Sequence, residues 1–173
     1  MEKLFGEKKI QIKAVDLIPR VWEDRPPMPA TQCYLLDVAN TGKTAAQKLG
    51  ELREKLKKNK ADSMMVTRLD DIAWLLNVRA DDVLNTPYLL SFCLVEREKA
   101  WLFTDLSRVP DQVRQNLLEN GVELLPYEQA EPAIRQISEP VSMLLDPEAV
   151  NYSLFQAMEQ NPQVTVVRGT DPI

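Results

Sequence analysis

Short apolar runs alternate with amphipathic segments along most of this chain, and this alternation constrains its fold more than any other feature. The apolar runs have the length of single strands, and the segments between them space their apolar residues as helices do. Strands are predicted at Thr31–Val38, Ser63–Thr67, Tyr88–Glu96, Ala100–Thr104, Val122–Pro126, Val141–Leu145 and Val164–Val167. Helices are predicted at Ala45–Asn59, Asp70–Asn77, Val109–Asn120, Pro132–Ile137 and in the segment that Asn151 caps.

The order of these elements predicts an α/β layered domain with a central mixed β-sheet flanked by helices. Three residues, 97–99, separate Tyr88–Glu96 from Ala100–Thr104, a length that suits an antiparallel hairpin. This hairpin would supply the antiparallel part of the sheet. The run Thr31–Val38 is mostly apolar, so we expect a strand that is covered on both faces.

The first thirty residues differ from the rest of the chain. Ile10–Ala14 alternates like a short strand, and apolar residues between Leu17 and Trp22 recur at helical spacing. Three of the four residues Pro26–Pro29 are prolines, which excludes a helix there and favours an extended, semi-rigid connector. Because thirty residues are too few for a core, we assign residues 1–30 to the tail of a preceding domain and its proline-rich linker. Residues 31–173 form the main domain.

The helix Ala45–Asn59 carries the strongest periodic pattern. Its apolar stripe consists of Ala45, Leu49, Leu52 and Leu56. Such a stripe predicts that one face of the helix packs on the sheet. Glu51 and Glu54 each precede a lysine by four residues, so we expect ion pairs along the opposite face.

The next two helices carry weaker local signals. Thr67 stands three residues before Asp70, a spacing that predicts Thr67 as the cap of the helix that follows. Trp74 in that helix and Trp101 in a strand are expected in the core, because both stand among apolar neighbours. In the helix Val109–Asn120, the side chain of Leu118 is expected to point inward together with those of Val113 and Leu117.

The composition argues against several classes of function. The chain contains no histidine, which is the commonest metal ligand and the commonest general acid or base near neutral pH. Its net charge of −5 argues against nucleic acid as a partner, because that partner requires a basic face. No apolar run approaches the length of a membrane span, so no membrane partner is expected. Cys33 and Cys93 lie in apolar runs and indicate buried free thiols in a reducing, cytoplasmic compartment.

Two pairs of adjacent carboxylates remain as candidates for chemistry. A metal hydrolase can be built from acidic groups with few histidines, so a carboxylate-based metal site is one hypothesis. Adjacent residues point away from each other on a helix, however, so neither pair is a chelate by itself. Asp70 and Asp71 are placed to stabilise a helix dipole, and Asp81 and Asp82 lie in a loop beside Arg79, where an exposed salt bridge is expected.

One segment resembles a known family. The run Val66–Arg79 is similar to the second N-terminal domain of three-domain Xaa-Pro aminopeptidases (aminopeptidase P), which belong to the creatinase/prolidase family. The family pattern there reads approximately T-x-L-D-[DE]-I-A-W-L-x-N-[LIV]-R-G-x-D, followed by N-P and a strand. This chain departs from the pattern at Ala80, where glycine is usual, and by Thr86, which is inserted before Pro87.

Two further segments resemble the flanks of that domain. Leu17–Pro29 is similar to the end of the family's first domain, and Thr165–Ile173 is similar to the strand before its catalytic domain. The resemblance therefore implies a creatinase/prolidase N-terminal domain, and it covers the chain from about Leu17 to its end. It also implies that the C-terminal metallopeptidase domain is absent from this chain.

The resemblance implies a function for the protein to which such a domain belongs. That protein would be a cytoplasmic metallopeptidase that releases the N-terminal residue from peptides with proline in the second position. Its catalytic domain would bind two divalent metal ions, manganese or zinc, and it would form a homodimer. Nothing in this chain matches the family's metal ligands, so we expect no catalytic residue, metal site or cofactor here. The domain would overhang the metal site, restrict substrate access and aid subunit association.

The residues most suited to face the catalytic domain or the peptide lie in the loop after the helix. They are Arg79, Asp81, Asp82, Asn85 and Tyr88. Arg79 has the geometry to hold a carboxylate in a bidentate fork, either from the partner domain or from a peptide. The structural alternative is that Arg79 holds Asp81 or Asp82 within the loop.

Two other hypotheses stay open at this point. The first is a free-standing binding module that uses the same fold for an unrelated partner, which a stop codon directly after Ile173 would favour. The second is the carboxylate-based metal hydrolase, which added metal would stabilise against heat.

Overall fold

The computed structural model describes Val15 and residues 17–173, so the strand predicted at Ile10–Ala14 lies outside the described residues. The helices are α1 Ile18–Val21, α2 Val38–Thr41, α3 Ala45–Lys58, α4 Leu69–Leu76, α5 Asp111–Glu119, α6 Ala130–Arg135 and α7 Tyr152–Gln160. The strands are β1 Tyr34–Leu35, β2 Ser63–Val66, β3 Val78–Arg79, β4 Phe92–Val95, β5 Ala100–Thr104, β6 Val122–Pro126, β7 Val141–Leu145 and β8 Val164–Arg168. Two 3-10 turns lie at Leu106–Arg108 and Tyr127–Gln129. Within the described part of the chain, no helix is both long and apolar enough to cross a bilayer.

Six strands form one mixed sheet in the order β6-β5-β4-β2-β7-β8. Strand β4 is antiparallel to both of its neighbours, β2 and β5, which confirms the predicted hairpin. The pairs β5–β6, β2–β7 and β7–β8 are parallel. The predicted fold class, an α/β domain with a central mixed sheet, is therefore confirmed.

The two faces of this sheet enter two separate hydrophobic cores. In β2, Met64 and Val66 belong to one core, and Met65 belongs to the other. Residues from α3, α4 and α5 complete the first core, and residues from α6 and α7 complete the second. Because successive side chains of a strand point to opposite faces, this division makes the sheet the middle of three layers.

Helix α3 forms as its pattern predicts. Thr44 and Gln47 make a reciprocal capping box at its start, with the side chain of each accepting the main-chain N–H of the other. The predicted apolar stripe is buried. The predicted ion pairs are wrong, because Glu51 pairs with Lys43 and Glu54 with Lys57. Exposed ion pairs contribute little to the stability of the fold, so they do not dictate which lysine each glutamate binds.

Helix α4 begins without the predicted cap. Its N-cap residue is Arg68, which makes no side-chain capping bond. Thr67 instead donates its hydroxyl to the carbonyl of Ala149 at 2.7 Å. Thr67 follows β2, and Ala149 follows the neighbouring strand β7. The hydroxyl therefore finds a tertiary partner in place of the helix terminus.

The core prediction for Trp74 is wrong. Ile72, Ala73, Leu75 and Leu76 are buried, whereas Trp74 is 42% exposed. A helix rotates by roughly 100° per residue, so five consecutive residues cannot all face one sheet. The same geometry exposes Leu118 of α5, which is 57% exposed between the sheet-facing positions of that helix.

The strand predicted at Thr31–Val38 is also wrong in its extent and burial. Only Tyr34–Leu35 is a strand, and it pairs with β3 outside the main sheet. Tyr34 is 42% exposed. The strand ends early because Asp37 caps α2, accepting the N–H of Ala39 at 2.7 Å.

The segment that contains the proline-rich connector is exposed to solvent. Every residue in the range 17–32 is exposed, and the short helix α1 is its one regular element. Main-chain hydrogen bonds in this segment join Arg20 to Leu17, Trp22 to Ile18 and Arg25 to Trp22. The carbonyl of Pro29 accepts a hydrogen bond from Arg108 at 2.7 Å.

Truncating a tryptophan usually costs as much stability as truncating a leucine or more, but the exposure of Trp74 should reverse that order here. We expect Leu75→Ala to lower the free energy of unfolding by about 2–5 kcal/mol, because Leu75 is fully buried. Trp74→Ala should cost less, because its ring is already partly hydrated and loses mainly a cation–π contact with Lys48. Urea denaturation of both variants measures the difference. A larger loss for Trp74→Ala would contradict the helix orientation described above.

Candidate functional site

The predicted site residues lie in and next to the β3–β4 loop (residues 80–91), which connects the small two-stranded sheet to the main one. Strand β3 leaves α4 directly through Asn77, which has a positive φ of 58°. Asparagine tolerates this left-handed conformation better than most residues, and it ends the helix here. In the small sheet, Tyr34 lies opposite Arg79.

Arg79 closes the C-terminal end of α4. Its Nη1 donates to the carbonyl of Ala73 in the last turns of the helix and to the carbonyl of Val78 at 3.0 Å. The last carbonyls of a helix have no partner within the helix, and a cation there also complements the helix dipole. The predicted alternative, that Arg79 holds Asp81 or Asp82, is therefore wrong.

Lys48 of α3 likewise donates to a carbonyl at the C-terminal end of α4, that of Trp74. Its Nζ donates to the carbonyl of Trp74 at 2.7 Å and to Oδ1 of Asn77 at 2.6 Å, and it lies 4.6 Å from the centre of the Trp74 ring. Lys48 is only 2% exposed. Burial above all, followed by the positive charges of Arg79 and Lys43, lowers the pKa of Lys48 from its usual value.

Arg79 lies between two tyrosines at a partly apolar surface. Partial burial lowers the pKa of its guanidinium, and electrostatic interactions with Tyr34 and Tyr88 oppose that shift. Within the described residues, the recorded hydrogen bonds of its side chain are made by Nη1 alone. Its Nε and Nη2 groups remain available to an incoming carboxylate or carbonyl. We call Tyr34, Trp74, Arg79 and Tyr88 the arginine–aromatic surface.

Asp82 does not belong to this surface. Its side chain is fully buried and forms an ion pair with Arg108, whose side chain is 2% exposed. Asp82 Oδ1 also accepts the hydroxyl of Thr31 at 2.7 Å, and Oδ2 accepts the N–H of Leu90 at 2.7 Å. The expected exposed salt bridge beside Arg79 is therefore wrong, because the loop turns Asp82 inward towards the 3-10 turn that carries Arg108.

Asp81 and Asn85 are exposed on the same loop. The N–H of Asp81 donates to the Thr31 hydroxyl at 3.2 Å, which fixes the backbone and leaves the carboxylate in solvent. Asn85 has a positive φ of 62° in a tight turn that the N–H of Thr86 closes on the carbonyl of Val83. Such a turn favours asparagine or glycine.

The five predicted residues thus divide between three environments. The structure brings together Arg79 and Tyr88, buries Asp82, and exposes Asp81 and Asn85 at the loop surface. The prediction missed Tyr34, Lys48 and Arg108. Lys48 had a readable signal, because it stands beside Leu49 on the apolar side of α3. Tyr34 and Arg108 had none, because their partners are distant in sequence.

The other acidic pair, Asp70 and Asp71, lies in the first turn of α4 as predicted. Burial above all, then the charges of Asp171 and Asp70, raises the pKa of Asp71 to about 6, while Arg68 acts in the opposite direction. Asp171 belongs to the C-terminal segment, which packs against this helix. The favourable interaction of Asp71 with the helix dipole is therefore offset by its loss of hydration.

The described residues hold no group of three or more histidine, cysteine or acidic side chains with the spacing of a metal site. The two cysteines are free and buried, as predicted. Burial raises the pKa of Cys33 and raises that of Cys93 to about 12, so both are thiols at neutral pH. A surface depression of about 320 Å³ lies between Asp62, Arg97 and Glu139, and no predicted site residue lines it.

Asp71 makes the stability of this domain depend on pH. Between its unfolded pKa of about 3.9 and its folded pKa of about 6, the folded chain binds more protons, so stability falls as pH rises through this window. We expect Asp71→Asn to raise the thermal midpoint more at about pH 7.5 than at about pH 4. Thermal unfolding at both pH values measures this. The control is Asp111→Asn, an exposed aspartate in the first turn of α5, which should show no larger gain at about pH 7.5 than at about pH 4. An Asp71→Asn gain that is independent of pH would contradict the assignment.

Comparison with known proteins gives a family match over most of the chain. Residues 24–173 match the Creatinase/Prolidase N-terminal domain family. A probable Xaa-Pro aminopeptidase P from Sordaria macrospora is 43% identical over 133 residues, which are 73% of this chain and 22% of that protein. A second one, from Neurospora crassa, is 42% identical over 123 residues, which are 70% of this chain and 18% of that protein.

A solved structure matches over nearly the whole chain. It is the X-prolyl aminopeptidase from Caenorhabditis elegans, described as a cytosolic enzyme with a di-nuclear active site. The TM-score is 0.85 at 29% sequence identity, over 97% of this chain and 28% of that one. The chain therefore spans about a fifth of the length of the curated relatives that it matches.

Proposed function

The chain belongs to the creatinase/prolidase N-terminal domain family, and on that premise we propose that it is a non-catalytic domain of a Xaa-Pro aminopeptidase. The observation that carries the proposal is the C. elegans match, in which 97% of this chain corresponds to only 28% of a whole aminopeptidase. Both fungal relatives are described as aminopeptidases of this kind and align over a similarly small share of their length.

The whole protein, in this proposal, releases the N-terminal residue from peptides with proline in the second position. Two divalent metal ions would supply a Lewis acid and an activated water in a C-terminal catalytic domain. The residues of this chain do not fit such a metal site, because no three metal-binding side chains converge in the part that the structure describes. The work of this domain is therefore to bind, orient or exclude, and the chain alone is inactive.

The domain organisation follows from the same proposal. Residues 1–30 are the end of a preceding domain and its proline-rich linker, residues 31–173 are this domain, and the catalytic domain follows. The exposure of residues 17–32 supports the linker assignment, and the two cores around one sheet support a single domain after it. The whole protein is a cytoplasmic homodimer to which this domain contributes contacts.

The arginine–aromatic surface is the face that we assign to the catalytic domain and the peptide. Arg79 is held rigidly by α4 while two of its donor groups stay available, which suits recognition of a carboxylate. Trp74 and Tyr34, each 42% exposed, add rigid apolar area beside it. Asp81 and Asn85 extend the same loop at its exposed edge, so this face would overhang the metal site and restrict access to it.

The first test compares the peptidase activity of the 173-residue chain with that of the protein encoded by its whole reading frame. We expect the product that continues past Ile173 to hydrolyse an Xaa-Pro peptide with added Mn²⁺, and the 173-residue chain to show no turnover above a buffer blank. Turnover by the chain alone that survives repurification would overturn the assignment and favour the carboxylate hydrolase. A reading frame that stops at Ile173 would instead favour a free-standing binding module of the same fold.

The second test addresses the surface itself. Arg79→Lys keeps the positive charge but loses the planar fork, so we expect kcat/KM of the full product to fall by about tenfold or more. Arg97→Lys is the matched control, because Arg97 is 72% exposed on the β4–β5 turn and should leave kcat/KM unchanged. Thermal midpoints of both variants separate a catalytic effect from a loss of folding. An Arg79→Lys enzyme with unaltered kcat/KM would remove the arginine–aromatic surface from the site.

A further inference from the structure

Asp82 and Arg108 form a buried ion pair that joins the proline-rich connector to the β3–β4 loop. The side chain of Asp82 has no exposed surface, and that of Arg108 is 2% exposed. The pair lies under the β3–β4 loop, where the 3-10 turn after β5 carries Arg108. Asp105 shapes that turn by accepting the N–H of Ser107 at 3.0 Å.

The pair holds the end of the proline-rich connector on one side. Arg108 Nη1 donates to the carbonyl of Pro29 at 2.7 Å, and the Thr31 hydroxyl donates to Asp82 at 2.7 Å. The main-chain carbonyl of Arg108 also accepts the N–H of Cys33 at 3.0 Å. These contacts fix the direction in which the connector leaves the domain.

The same pair holds the β3–β4 loop on the other side. Asp82 Oδ2 accepts the N–H of Leu90 at 2.7 Å, and the N–H of Asp82 donates to the carbonyl of Tyr88 at 3.3 Å. Asp82, near the start of the loop, therefore bonds to residues at its end. The bond from the N–H of Asp82 to the carbonyl of Tyr88 positions Tyr88, which is a member of the arginine–aromatic surface.

Net stability is a poor explanation for such a pair. Removing two charges from water is expensive, and apolar replacements of buried pairs are often equally stable. Among the described residues, Nε of Arg108 has no hydrogen-bond partner, which adds a further penalty. What apolar side chains cannot provide is direction, because only hydrogen bonds fix the orientation of Pro29, Thr31 and Leu90.

We propose that Asp82 and Arg108 are positioning residues that lock the proline-rich connector and the β3–β4 loop in one fixed relation. Prolines 26, 27 and 29 make the connector semi-rigid, so an orientation set at Pro29 is passed along it. That the loop and the connector face other domains of an aminopeptidase rests on the proposed function. The lock itself is a property of this chain and is measured on this chain, so the two fail separately.

The experiment measures the distance distribution between two spin labels. One label is placed on the connector at Met28→Cys and the other on the β4–β5 turn at Glu98→Cys, both exposed positions. Cys33 and Cys93 are buried and have raised pKa values, so the labelling reagent leaves them unmodified. Pulsed electron paramagnetic resonance should give one narrow distribution for this labelled chain.

Three variants of the labelled chain decide the question. In Asp82→Asn the narrow distribution should be lost, whereas in the matched control Asp81→Asn it should persist, because Asp81 is exposed. The double variant Asp82→Leu with Arg108→Met replaces the pair by apolar side chains and should fold with nearly unchanged stability. Its distance distribution should nevertheless be broad, because the side-chain hydrogen bonds to Pro29 and Thr31 are gone.

Hydrogen exchange provides the second readout, on the loop side of the lock. The amide of Leu90 should exchange about tenfold faster or more in the double variant, because its charged acceptor is gone. The amide of Leu94, inside the main sheet, should be unaffected. A narrow distance distribution in the folded double variant would overturn the proposal, and so would an unchanged exchange rate of the Leu90 amide. If Asp82→Asn does not fold, both measurements can still be made on the double variant.

Discussion

The whole structure depends on the complete burial of strand β2 between an antiparallel and a parallel neighbour. All four of its residues, Ser63–Val66, are buried, so both faces of the sheet must be covered. Helices α3, α4 and α5 cover one face, and α6 and α7 cover the other. In the first layer, Lys48 and Arg79 bond to the last carbonyls of α4. The candidate site exists because those carbonyls need partners.

Cations satisfy main-chain carbonyls at several points of this fold, and three of these points lie at the candidate site and the connector. Lys48 binds the carbonyl of Trp74, Arg79 binds that of Ala73, and Arg108 binds that of Pro29. A long cationic side chain suits this task because its apolar stem packs in the interior while its head donates several hydrogen bonds. Arg79 differs from the other two because part of its guanidinium stays accessible. In the proposed function, one side chain therefore serves both as a structural capping group and as a recognition group.

Periodicity was enough to predict the layered fold. Helix α3 is present close to its predicted bounds, and the β4–β5 hairpin is present although β4 begins at Phe92 and not at the predicted Tyr88. The errors occur where local and tertiary preferences compete. The predicted strand Thr31–Val38 is shortened because Asp37 starts a helix, and Thr67 bonds to Ala149 in a neighbouring segment in place of capping α4. Trp74 is exposed because its orientation on α4 depends on which face of the helix meets the sheet.

The sequence by itself determined the fold class and predicted a connector and the loop of the candidate site, because these depend on the period of apolar residues and on backbone chemistry within a few positions. Only the tertiary structure decided what each charged residue of that loop does. Asp82 and Arg108 are 26 positions apart, and the pair is visible only when the sheet order brings the β3–β4 loop over the turn after β5. Arg79 likewise bonds to the end of α4, because the last carbonyls of the helix have no partner within the helix. Asp82 is already paired with Arg108.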